Sequence, residues 1–122
     1  MGAASDALLE QIRAFGLTYP EAQIRSPWPG HKDLAVRDKT FAWLNVEGDP
    51  FSIGVKLPFT GPEVLELPYA RPTAYGLGKH GWVTLDPPED ALPSLETLKA
   101  WVDESYRAVA PKSLVKAAPA FG

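Results

Sequence analysis

Gly76-Leu77-Gly78-Lys79-His80-Gly81 is the segment of this chain with the most specific chemical spacing. It satisfies G-x-G-x-x-G, a pattern that brings backbone N–H groups close to phosphate in dinucleotide and kinase folds. In a dinucleotide fold the loop must run into a helix N-terminus, which supplies free N–H groups and a favourable dipole. Here Gly81 to Leu85 reads as a strand and Pro87-Pro88 follows it, leaving no room for that helix. A kinase loop does lie between strands, but the lysine strand, catalytic loop and metal-binding Asp that it needs do not fit in the remaining chain of about 40 residues. The expectation is a glycine-rich turn that feeds a strand, not a phosphate cradle.

The residues around that turn suggest a different chemistry. No acid occurs between Glu66 and Asp86, whereas Arg71, Lys79 and His80 are interleaved with Tyr69, Tyr75 and Trp82. Phosphate contact combined with base stacking is what single-stranded or grooved nucleic acid requires. The expected contacts are Arg71, Lys79 and His80 to phosphates and Tyr75 to a base. Lys56 and Lys39 join them if their strands present the same face. The chain as a whole carries a net charge of -3 and a pI near 5.3, which argues against a surface built throughout to hold nucleic acid.

Catalytic constellations are missing from the pattern. His31 and His80 are far apart, and neither has a second ligand three or four residues on, so no metal site is expected. There is no cysteine, hence no thiolate, disulfide or iron-sulfur chemistry. No serine sits in a G-x-S-x-G elbow. Glu89-Asp90 falls in a turn after Pro87-Pro88, and Asp103-Glu104 reads as part of a wet helix face, so neither resembles a buried acid–base pair. No catalytic residue and no cofactor are expected.

The elements that must position these residues are set out by the prolines. Thirteen in 122 residues is above the usual share of about 5%. Proline lacks an N–H and fixes φ, so it collects at element edges. Before Pro20, Leu8, Leu9, Ile12 and Phe15 recur on one helical face, with Ser5 or Asp6 placed to cap and Gly16 to terminate. Between Pro93 and Pro111, Ser94 is placed as a cap, and Leu95, Leu98, Trp101, Val102 and Val109 line a second helix whose Asp103–Arg107 pair adds tenths of a kcal/mol. Between the helices Phe51, Ile53, Val55 and Leu57 alternate with small or polar residues, the signature of a half-buried strand. Leu34 to Val46 reads as two strands around a turn at Asp38-Lys39. Thr60 to Leu67 allows one short helix, with Thr60 as its cap.

The expected fold class is therefore α+β: an antiparallel sheet of about four to five strands packed by N- and C-terminal helices. One domain accounts for residues 1–122, compact over about 5–111, with a fraying tail over 112–122. No apolar run approaches the roughly 20 residues needed to cross a bilayer. The N-terminus has no basic-then-apolar leader. A cytoplasmic protein without a membrane partner is expected.

Several blocks resemble the MmcQ/YjbR family: Thr18-Tyr19-Pro20-Glu21-Ala22, Val36 to Ala42, Val55-Lys56-Leu57, Tyr75 to Val83 with its Lys79-x-x-Trp82 core, and Glu104-Ser105-Tyr106-Arg107. They occur in the family's order from about Leu8 to Pro111. Where the family often has Gly-Gly or Arg-Gly before the hairpin lysine, this chain has Arg37-Asp38, which sets an acid beside Lys39. The resemblance implies an α+β sandwich similar to the frataxin-type and double-wing arrangements. It also implies DNA binding, with no catalytic residue and no obligatory cofactor. Three functions follow in order of support: a non-enzymatic module that binds DNA or other nucleic acid, a protein-interaction or chaperone-like adaptor, and a small-ligand binder or enzyme beside the glycine turn.

Overall fold

The computed structural model describes residues 2–121. Helix α1 covers Ala3–Gly16 and is followed by strands β1 (Ala22–Arg25), β2 (Asp33–Val36), β3 (Lys39–Leu44) and β4 (Ile53–Lys56). After the short helix α2 (Gly61–Val64) come β5 (Ala70–Pro72), β6 (Trp82–Leu85), α3 (Leu95–Val109) and α4 (Lys112–Ala117). The six strands form one antiparallel sheet in the order β1-β2-β3-β4-β6-β5. This is the expected α+β class, with one strand more than the upper expectation. The unanticipated members, β1 and β5, are the sheet edges. Four residues before Pro27, and three that include Pro72, carry too little periodicity to register, and an edge is where a proline fits a sheet.

Helices α1 and α3 pack on each other and on one face of the sheet. Leu9 and Ile12 of α1 and Leu98, Val102 and Tyr106 of α3 are fully buried against Leu34, Val36, Leu44, Ile53, Val55, Val83 and Leu85. Among the described residues no helix packs across the opposite sheet face. That face carries Trp43, Gly54, Lys56, Trp82 and Thr84, which the pairings Trp43↔Gly54, Gly54↔Thr84 and Lys56↔Trp82 place side by side.

A β-bulge decides which residues reach that open face. Leu34 pairs with Ala42 but Ala35 pairs with Thr40, so Phe41 is an extra residue in β3. Phe41 and Ala42 are consequently both buried toward the helices, and Thr40 and Trp43 both turn to the open side. Strict alternation would have put Trp43 with Phe41 in the core. Ser105 of α3 stabilises the irregularity. Its hydroxyl donates to the Phe41 carbonyl at 2.6 Å and accepts the Lys56 N–H at 2.8 Å, bridging the gap the bulge leaves between β3 and β4.

Other expectations are corrected by the same packing. The hairpin turn sits at Arg37-Asp38, one residue before the expected place, with Arg37 at φ 55°. Neither Ser5 nor Asp6 caps α1: Ser5 is buried in its first turn with its hydroxyl on the Gly2 carbonyl, and Asp6 accepts the Gly48 N–H. Asp103 and Glu104 do not lie on a wet face. Asp103 is buried and accepts bonds from the Tyr19 hydroxyl at 2.5 Å and from Arg107 at 2.9 Å. Glu104 accepts from the Phe59 and Thr60 N–H groups and the Thr60 hydroxyl, tying α3 to the start of α2. Burial, and then the bond to Asp103, push the Tyr19 hydroxyl well above its ordinary pKa. The segment expected to fray contains α4, and Arg107 reaches past it to the Pro119 carbonyl at 2.6 Å.

Candidate functional site

The open face is flanked by two loops whose local chemistry fixes their shape. Trp28-Pro29-Gly30-His31 closes with the His31 N–H on the Trp28 carbonyl, Pro29 in the second position and Gly30 at φ 87° in the third, the pattern of a type II turn. Buried Arg13 holds the base of this loop through the Lys32 and Asn45 carbonyls and through Glu47 at 2.5 Å. Burial works against the Glu47 charge, but its own backbone N–H and Arg13 outweigh that, and its carboxyl is held below the usual carboxylate range. On the other side, the Leu77 N–H bonds to the Ala74 carbonyl around Tyr75 and Gly76, both at positive φ. Tyr75 at φ 62° is strained and almost wholly exposed, at 99%. A side chain at Gly78 would meet Pro72 at 2.6 Å, so the G-x-G-x-x-G string reflects tight packing of a turn. As expected, it leads into strand β6, with no helix to receive a phosphate.

Between these loops the indoles of Trp28 and Trp43 stack with centroids 6.3 Å apart, and Trp82 leans on Trp43 at 6.4 Å. Gly54 provides the floor, since a Cβ there would lie 3.0 Å from Trp43 Cδ1. The stacked pair and Leu77 divide the face into two hollows of about 500 Å³ each, a size in the range that holds small ligands. The first has Arg25, Lys39 and Lys56 around Trp28, Trp43 and Trp82, with Asp38 as its one acid. The second is mostly apolar, walled by Trp28, Trp43, Tyr75 and Leu77 with His31 at its edge. A third hollow of about 420 Å³ continues the first past Lys39, sharing Asp38 and Val109 with it and ending at Arg37 and Lys112.

Carboxylates engage some of the cations and leave others without a partner. Arg13, Arg37, Arg71, Arg107 and Lys99 are each engaged by a carboxylate. Among the described residues Arg25, Lys39 and Lys56 form no ion pair, and neither do Lys32, Lys79, Lys112 and Lys116; what distinguishes the first three is that they line one hollow beside the indoles. No three metal-ligating side chains come together among the described residues.

The six residues singled out in the sequence divide accordingly. Lys39 and Lys56 converge in the first hollow, and Tyr75 stands at the rim of the second. Arg71, Lys79 and His80 are not brought into these hollows. Arg71 is neutralised by Asp86 across the β5–β6 edge, and Lys79 and His80 are exposed on the turn without lining any of the three hollows. The acid-free stretch ends at Asp86, and the fold folds that acid back onto Arg71. Arg25, Trp28, Trp43 and His31 are the members that sequence reasoning missed. Trp28 left a usable signal, because an indole between Pro27 and Pro29 belongs to no element and must lie at the surface. Trp43 left none, because its direction depends on the bulge.

The YjbR family pattern matches residues 17–108, well over half of the chain. The chain belongs to the YjbR family. The crystal structure of Deinococcus radiodurans protein DR2400, a DUF419 domain, has the same fold. It superposes with a TM-score of 0.71 and 22% identity over 89% of this chain and 83% of that one. No curated protein matches this YjbR chain. The family match encloses the first hollow's cations and all three of its indoles. No helix of the described residues is long and apolar enough to cross a membrane.

Proposed function

We propose that this YjbR domain is a non-catalytic module that binds single-stranded nucleic acid, DNA in the first instance, along its open sheet face. The observation that carries this reading is the adjacency of the three hollows, which run from an aromatic, apolar end to one where Arg25, Lys39, Lys56 and Lys112, none in an ion pair, outnumber Asp38 and the Glu21-paired Arg37. Bases stack on exposed indoles and tyrosines without regard to sequence, while lysines and arginines follow the backbone phosphates. The net charge of -3 is compatible with this because the attraction is local. A single strand is favoured over a duplex, whose bases are already stacked and would leave the indoles without a partner. The cytoplasm, where such strands occur, is the compartment this function requires.

Fluorescence anisotropy with short labelled single strands and matching duplexes, at low and moderate salt, tests the proposal. Single strands should bind more tightly and quench tryptophan emission. With phosphate contacts from Arg25, Lys39 and Lys56, log K should fall against log salt with a slope of roughly 2, from about 0.7 per contact for single strands. Absence of binding at low salt and high micromolar protein sinks it.

A further inference from the structure

Besides Ser52 and the mutually bonded Thr73 and Thr84 hydroxyls, the mostly apolar hollow is bordered by an imidazole whose orientation is fixed from beneath. His31 Nδ1 lies 3.1 Å from Oδ1 of Asp33, which also accepts the Leu44 N–H at 2.7 Å. Asp33 is fully buried and its second oxygen has no hydrogen-bond partner, so His31 is the one side chain that the carboxylate bonds. A carboxylate only accepts, so the proton of neutral His31 is held on Nδ1 and Nε2 is left as an acceptor. His31 borders the apolar hollow whereas Asp33 does not, and Nε2 is the ring nitrogen that Asp33 leaves free. The imidazole is wedged edge-on against both indoles, with centroids 5.7 Å from Trp28 and 6.3 Å from Trp43. Tyr75, almost wholly exposed, stands at the rim of the same hollow.

An acceptor set into flat apolar walls, within about 500 Å³, selects a particular ligand chemistry. A purely apolar occupant would strip water from Nε2 and leave it unsatisfied, which costs about 1–3 kcal/mol. A planar ring with an N–H at its edge gains the stacking area and satisfies the nitrogen. Charged groups are disfavoured, since the cations lie on the other side of the Trp28–Trp43 partition.

We propose that the hollow bounded by Trp28, Trp43, Tyr75 and Leu77 is a nucleobase subsite, which takes one neutral heteroaromatic ring with its edge N–H donated to Nε2 of His31. Asp33 is a positioning residue that sets the tautomer. The inference deepens the nucleic-acid reading and rests on it only for the choice of ring, since a phosphate-free nucleoside is sufficient to occupy the hollow.

The test is a titration of the wild-type chain with uridine and with 3-methyluridine, read by amide and indole NMR shifts. Uridine has one base N–H and its methylated analogue has none, so the pair isolates the proposed bond. Uridine should bind in about the 0.1–1 mM range, shifting the Trp43 indole and the Gly54, Thr73 and Thr84 amides. 3-Methyluridine should bind about tenfold more weakly, the loss expected for one buried hydrogen bond. His31→Phe keeps a ring against the indoles, and it should abolish the discrimination between the two nucleosides. Equal affinity of the two for the wild-type chain overturns the inference, as do uridine shifts confined to another surface. Failure of uridine to bind while single-stranded oligonucleotides bind overturns the subsite and leaves the strand-binding reading standing. Uridine binding without oligonucleotide binding does the reverse.

Discussion

The two faces of the sheet treat polar groups in opposite ways. On the helix side every buried polar group described above has a protein partner: Ser105 answers Phe41 and Lys56, Asp103 answers Tyr19 and Arg107, and Arg13 answers two carbonyls and Glu47. On the open side Asp33 Oδ2 and Trp43 Nε1 are buried without partners, Arg25, Lys39 and Lys56 have no acid, and Tyr75 holds a strained φ. Unmatched groups and strain cost stability, and they persist where something besides stability maintains them. The helix side is organised to hold the fold, and the proposed function makes the open side the one that meets a ligand. Mutations should therefore separate along the sheet, with those on one face changing stability and those on the other changing binding.

The largest expected effect is on the helix side. Ser105→Ala leaves the Phe41 carbonyl and the Lys56 N–H unpaired at a buried bulge, and a loss of about 2–4 kcal/mol in denaturant-measured stability is expected. A change below about 0.5 kcal/mol would mean that the bulge is held by strand pairing alone.

The same face should dominate the alkaline response. The hydroxyls of Tyr19 and Tyr106 are both raised above their ordinary value of 10.0, in each case chiefly by burial. A raised folded pKa favours the protonated form in the native state. The resulting stability is complete below about pH 10 and is lost as pH rises beyond it. Tyr19→Phe should flatten that decline in a series of unfolding curves from pH 8 to 11, whereas His31→Phe on the open face should leave it unaltered.

On the open face Trp28→Ala should leave stability nearly unaltered, since the indole is 56% exposed. It should weaken single-strand binding by about 1–3 kcal/mol, the usual worth of one base-stacking side chain. A large drop in melting temperature with unchanged affinity would erase the contrast between the faces. Lys39→Ala and Lys56→Ala should have a smaller effect, each lowering the salt slope by about 0.7, whereas Lys79→Ala should not alter it.

The smallest effect sharpens the comparison most. Tyr75→Gly relieves a left-handed backbone at the cost of unfolded-state entropy, so stability should stay level or rise by about 0.5 kcal/mol. Affinity for single strands should fall in the same variant, because the tyrosine at the rim of the apolar hollow is gone. Stability gained with binding lost is the signature of strain kept for function. A variant that loses both is evidence of an ordinary turn.

The element pattern was legible because it is local. Leu8, Leu9, Ile12 and Phe15 at helical spacing, the alternation from Phe51 to Leu57, and prolines at the boundaries specify α1, β4 and α3 without knowledge of what they pack on. The resemblance carried by the Tyr75–Val83 and Glu104–Arg107 blocks agrees with the family match. Ser105 within the second block illustrates the limit of that legibility, because its spacing on a helix gave no hint that it serves a bulge some 64 residues earlier.

The candidate site was read only in part. Lys39, Lys56 and Tyr75 were placed on it by charge and aromatic content, while Arg71 was included because its acid, Asp86, lies 15 residues away in the chain and touches it only across the β5–β6 pair. Composition along a segment counts charges but not their partners, and a cation's availability depends on both.

The sequence by itself determined the periodicities, the breaks between elements, the helix-covered antiparallel sheet and the exclusion of thiol chemistry. Those follow from the interactions of neighbours within a few residues and from side-chain type. Only the tertiary structure decided which face Trp43 occupies, which cations keep their charge free and that His31 is oriented by Asp33. Each of these depends on one extra residue in β3 or on pairing between distant strands, and a shift of one residue in a strand moves a side chain from the core to the open face.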